Sequence, residues 1–132
     1  MAFLIASDVI IQAERKNLNL DAWLRARADQ EVRLAAITVA ELWRSTERAS
    51  GIHRERRQRF LRQLLEVFEV VPYTEEAALE HGRLSAALEA TGQRIPVQDV
   101  ILAATALVSG AAVLTFNTRR YAAVPGLTVV AP

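Results

Sequence analysis

The chain contains no cysteine. That absence excludes a disulfide scaffold, a thiolate zinc site and a cysteine nucleophile together, and it fits the reducing cytoplasm. Glycine is scarce, with five residues at positions 51, 82, 92, 110 and 126 that never come close enough to build a phosphate loop. Neither G-x-G-x-x-G nor G-x-x-x-x-G-K-[ST] occurs, so nucleotide binding of those kinds is excluded. Lys16 is the only lysine, far too early in the chain to neutralise phosphate in a phosphorylatable receiver or an aspartyl-phosphate phosphatase. His53 and His81 fall in segments that read as exposed helices, which argues against a two-histidine nuclease. The apolar-rich stretch Val100 to Phe116, which polar Asn117 closes, is 17 residues and is divided by Ser109-Gly110, short of the roughly 18 apolar residues that suggest a membrane span. The N-terminus lacks a basic region, and Asp8 interrupts its apolar stretch, so no export segment is expected.

What is present describes a single globular domain. Of 132 residues, 52% are hydrophobic and 23% charged, enough to bury a core without a disulfide or metal. The formal charge is only +1, but its distribution is uneven. Between Arg44 and Arg62 lie seven arginines and two acids, Glu47 and Glu55. The arginine fork suits phosphate oxygens, so this stretch reads as a polyanion site or as a solvated helix face.

Strand-like and helical segments alternate. Phe3-Leu4-Ile5 has the short apolar form of a central strand, and Ser7-Asp8 offers N-caps for a helix to about Lys16. A short helix is expected over Leu20 to Ala28, a strand over Leu34 to Ile37, and a helix capped by Thr38 through about Ala49. Gly51 breaks that pattern before an arginine-rich helix over Ile52 to Glu66. A third strand is expected over Val67 to Val71, then a helix from Thr74 that stops before Gly92. A buried helix over Gln98 to Ser109 is terminated by Gly110. Strands at Ala112 to Leu114 and Leu127 to Val130 follow, with Asn117 capping a turn between them. Such βα alternation implies an α/β domain with a parallel sheet covered on both faces.

In an open parallel sheet the functional crevice lies beyond the carboxyl ends of the strands. The polar groups expected there are Ser7, Asp8, Thr38, Glu41, Asp99, Thr115 and Asn117. Converging carboxylates suit Mg²⁺ or Mn²⁺, an ion that acidifies a bound water and offsets charge on a phosphodiester. Each residue also has a plainer reading. Glu41 pairs with Arg44 along one helix face, or it is a ligand with Arg44, Ser45 and Arg48 beyond it. Asp99 caps its helix or binds a metal, and Asn117 is a turn residue or part of the site. Thr115 orients a ligand or is an ordinary strand threonine.

Taken together, four stretches resemble a PIN-domain ribonuclease of the VapC type, the toxin of bacterial toxin–antitoxin pairs. They are Phe3 to Ile11 (FLIASDVII), Ile37 to Leu42 (ITVAEL), Pro96 to Ala106 (PVQDVILAATA) and Leu114 to Tyr121 (LTFNTRRY), with Gly126 to Val129 as the final strand. The resemblance implies one PIN-like domain over residues 1–132, with a parallel sheet of about five strands flanked by helices. It also implies Mg²⁺-dependent RNA cleavage, a homodimer and an antitoxin that blocks the site. By position, Glu41 and Asp99 match acidic metal-site residues of the family, Asn117 a fourth polar position, Thr115 its hydroxyl neighbour, and Ser7 and Asp8 the residues after the first acid. That first acid falls on Ala6, whose methyl binds no metal.

An intact remainder points to an aspartate replaced at position 6, leaving an inactive endoribonuclease. The alternative is a natural, non-catalytic module that binds an antitoxin or RNA, and a phosphatase of small substrates ranks behind both. In the nuclease reading, Arg44, Arg48, Arg119 and Arg120 position the RNA backbone. The antitoxin surface is expected around the early helices, where Trp23, Leu24 and Trp43 are either exposed anchors or core.

Overall fold

The computed structural model describes all 132 residues. Five strands form one sheet: β1 (Ala2–Ile5), β2 (Glu31–Ala35), β3 (Val70–Val71), β4 (Ala111–Leu114) and β5 (Val129–Val130). Their order is β3-β2-β1-β4-β5 and every pairing is parallel. The helices are α1 (Ser7–Glu14), α2 (Leu20–Arg25), α3 (Ala36–Arg48), α4 (Gly51–Val67), α5 (Glu75–Ala90) and α6 (Val97–Ser109), with a 3₁₀ turn at Thr118–Tyr121.

Successive strand side chains point to opposite faces, so the central strands feed two cores. Phe3 and Ile5 of β1, Leu34 of β2 and Ala112 and Leu114 of β4 pack with residues of α1 to α4, including Ile10, Trp23, Leu42 and Leu61. Leu4, Ala35 and Val113 face the other way, onto Leu84 and Leu88 of α5 and Leu102 and Ala106 of α6. Helices therefore cover both faces, as the uninterrupted apolar runs of β1 and β4 require. None is long and apolar enough to cross a membrane.

Several boundaries differ from the sequence reading. β2 begins at Glu31 rather than Leu34, and Ile37 and Thr38 belong to α3. The first half of β2 carries charges that hide it from an apolar-run reading: Arg33 pairs with Glu31 at 2.9 Å and with Glu69 at 3.5 Å. Thr38 is not a cap but a fully buried residue inside α3, whose N-cap is Ala35. Ala6, rather than Ser7 or Asp8, holds the N-cap position of α1. Val67 completes α4, and only Val70 and Val71 pair in β3. Gly110 ends α6 in the left-handed conformation, φ 64°, as its position implies.

Candidate active site

β1 and β4 lie side by side at the centre of the sheet, and the chain leaves β1 for β2 on the opposite side. This is the place where a parallel α/β sheet opens a crevice at its carboxyl edge. The two strand ends are tied together there, the Ala6 N–H donating to the Leu114 carbonyl at 2.9 Å. A small pocket of about 40 Å³ sits above them. Ala6, Ser7 and Asp8 reach it from the start of α1, Glu41 from α3 and Asp99 from α6. Thr115, Asn117, Arg120 and Tyr121 reach it from the segment after β4.

Asp8 is consumed structurally. The Thr115 hydroxyl donates to both its carboxylate oxygens, at 3.1 and 3.0 Å, and the Phe116 N–H donates at 2.9 Å. The same hydroxyl accepts the Asn117 N–H at 3.0 Å. Thr115 thus orients Asp8 and the turn, and the Asn117 side chain makes no capping bond. The clamp fixes the start of α1 against the end of β4.

Asp99 is buried, with 7% of its surface exposed. It lies in the first turn of α6 but does not cap it, since Pro96 holds the N-cap position. Its oxygens face inward instead. The Tyr121 hydroxyl donates to Oδ1 at 3.2 Å, and the Arg120 guanidinium donates to Oδ2 at 3.0 Å. Burial, then the adjacent Asp99 charge, pushes the Tyr121 hydroxyl far above the ordinary tyrosine range. It therefore remains a donor throughout the physiological range.

Glu41 is half-buried, and its carboxyl is raised above the ordinary value. Burial is the larger cause and the Asp99 charge the next, while the Ser7 hydroxyl and Arg120 pull it down and Asp8 adds repulsion. Glu41 and Asp99 thus sense one another across the pocket, which is the juxtaposition the sequence reading required. Glu41 also borders an adjoining groove of about 330 Å³ lined by Arg44, Ser45, Arg48 and Gln98. Glu41 is the one residue that lines both the pocket and the arginine-lined groove.

The remaining expected residues divide. Arg120 is at the mouth but already paired with Asp99, whereas Arg119 is exposed on the 3₁₀ turn and lines neither cavity. Neither His53 nor His81 approaches the pocket, and His81 binds the Tyr73 hydroxyl at 2.8 Å. Trp23 is core, packed edge-on against Phe3 at 5.6 Å, so it is not an exposed anchor. Leu24 and Trp43 are half-buried. Tyr121 was missed from sequence, because an aromatic so far along the chain carries no local sign that its hydroxyl returns to Asp99.

Hard oxygen donors suit a divalent cation, and Glu41 and Asp99 are donors of that type. The set is nonetheless short. Ala6 presents a buried methyl where the resemblance places an acid, and no three His, Asp or Glu side chains stand together as a metal-holding group. The residues present do not by themselves complete a metal centre.

The PIN domain family profile matches residues 5–127, and the chain belongs to that family. Its fold is that of VapC-type toxins. A chain of VapBC2 from Rickettsia felis, bound to a promoter DNA fragment, superposes with a TM-score of 0.91 at 19% identity, covering 100% of this chain and 99% of that one. FitAcB from Neisseria gonorrhoeae gives 0.82 at 28% identity, covering 98% and 96%. VapBC-5 from Mycobacterium tuberculosis gives 0.75 at 26% identity, again covering 98% and 96%. No curated protein matches by sequence.

Proposed function

We propose that this chain is the toxin of a toxin–antitoxin pair, built as a Mg²⁺- or Mn²⁺-dependent RNA endonuclease and disabled at Ala6. The observation that carries the reading is the meeting of Glu41 and Asp99 in one pocket, with Glu41 also lining the neighbouring groove of Arg44 and Arg48. With aspartate at position 6, that residue, Asp99 and Glu41 would hold the cation. When bound, such an ion supplies an acidified water and offsets charge on the phosphodiester. The protein's own contributions follow from its geometry. Arg44 and Arg48 hold backbone phosphates in the groove, Tyr121 fixes the Asp99 carboxylate, and the Thr115–Asp8 clamp keeps the pocket walls in register.

The antitoxin partner is supported by the toxin–antitoxin complexes that share the fold. A groove of about 400 Å³ between the α1–α2 connection and α4, with Leu18, Leu20, Phe60 and Leu64 on its apolar side and Lys16, Asn19 and Asp21 on its polar side, offers it a mixed seat. Homodimerisation and a cytoplasmic location belong to the same reading. So does a deliberate replacement at position 6, since an active ribonuclease harms the cell that makes it. A natural binding module without catalysis is the second reading, favoured by the Arg120 guanidinium already seated on Asp99.

The test is RNA incubated with this chain and with its Ala6→Asp variant, followed on gels. The variant is expected to cleave RNA in Mg²⁺ or Mn²⁺, to stop on chelation, and to lose cleavage when Asp99→Asn is added. An inert Ala6→Asp protein that still binds its antitoxin contradicts the nuclease reading and favours the binding module.

A further inference from the structure

We infer that the groove beside the pocket holds one nucleotide of the RNA and reads its base, with Gln98 selecting adenine. This deepens the proposed function and rests on its assignment of RNA to Arg44 and Arg48. It needs no ion in the pocket.

Ile37, Ala40, Glu41, Arg44, Ser45 and Arg48 recur three and four positions apart, so they share one face of α3 and form one wall. Gln98, at the start of α6, stands on the other. The groove's volume of about 330 Å³ lies at the small end of the range for small-molecule sites. Its two ends differ in charge. Arg44 and Arg48 have no carboxylate partner in the chain, and they are one helical turn apart. Toward the start of α3 the wall becomes Ile37 and Ala40 beside the Glu41 carboxylate. Phosphate is therefore drawn to the arginine end and repelled from the other. Ala40 and Arg44 are about 6 Å apart along the helix axis, short enough for one nucleotide to reach from its phosphate to its base.

A base at the Glu41 end meets Ile37 and Ala40 as apolar surface and the Gln98 amide as a partner for its edge. Gln98 immediately precedes Asp99, which shares the pocket with Glu41, and this sets the amide at that end. The amide is exposed and makes no hydrogen bond within the chain. It offers a carbonyl acceptor beside an N–H donor, the pair that matches adenine N6 and N7. A glutamine alone can turn over and pair with other bases. The Glu41 charge removes that freedom, because every other RNA base carries carbonyl oxygens that it repels, and adenine carries none.

Fluorescence anisotropy of labelled oligoadenylate, oligocytidylate and oligouridylate tests this on the chain as it stands, in chelator so that nothing is cleaved. Oligoadenylate is expected to bind about tenfold tighter than the other two, within the discrimination one two-bond amide–base pair supplies. Gln98→Ala, at an exposed position, should bring oligoadenylate down to the level of the others and leave theirs unchanged. Arg44→Ala should weaken all three alike. Equal binding of the three RNAs by the parent chain, or an adenine preference that survives Gln98→Ala, overturns the base reading while the RNA assignment stands. If none of the RNAs binds, or Arg44→Ala weakens none of them, that assignment falls and this inference with it.

Discussion

The acids at the carboxyl edge of the sheet have different tasks although they line one pocket. Asp8 is fully satisfied by Thr115 and Phe116 and serves as a clamp. Thr115→Val removes the hydroxyl donor from that charged partner. It should destabilise the fold by about 2 kcal/mol, read as a lower urea midpoint with an unchanged slope. Glu41 is held at a cost, because its carboxyl is raised by burial and by Asp99. Below the unfolded-state pKa both states carry the proton and the penalty is absent; it grows as pH rises through the higher folded-state value. Glu41→Gln should therefore raise the melting temperature at pH 7, with the gain vanishing below about pH 4. A loss of stability at neutral pH would show that Glu41 is not strained by its neighbours. Sequence placed Glu41, Asp99 and Asn117 at the site because each was expected just beyond a strand or in the first turn of a helix, although Glu41 stands in the second turn of α3. It did not reveal that Tyr121 and Arg120 would both turn back onto Asp99, since that contact depends on where a 3₁₀ turn aims its side chains.

Among the elements, legibility followed hydrophobic patterning. β1, β4 and α6 are apolar on every side and were placed within two residues, whereas the charged front half of β2 was missed because Glu31 and Arg33 satisfy one another at the sheet surface. Helix starts were the weakest point. Ala6 and Ala35 stand at N-caps without any side-chain bond, so no polar signal marks them. Helix ends were clearer where glycine takes a left-handed turn. An added Cβ at Gly110 would meet nothing within 4 Å, so backbone conformation alone opposes it there. Gly110→Ala should cost about 1 kcal/mol, and calorimetry should show that loss with no change in the shape of the site.

At the level of the whole molecule, a net charge of +1 conceals a division of labour. Acids gather over β1 and β4, and arginines line the neighbouring groove on α3. Replacing Arg44 or Arg48 by alanine should weaken RNA binding without sequence preference. Each loss should flatten the slope of log affinity against log salt by about 0.7 for single-stranded RNA, and an unchanged slope would place the RNA elsewhere. The central claim is that residue 6, Glu41 and Asp99 share one divalent ion. Anomalous diffraction from Ala6→Asp crystals grown with Mn²⁺ tests it most directly. The expected result is a peak among those three side chains, absent when Asp99→Asn is added. A peak elsewhere, or none at saturating Mn²⁺, contradicts it.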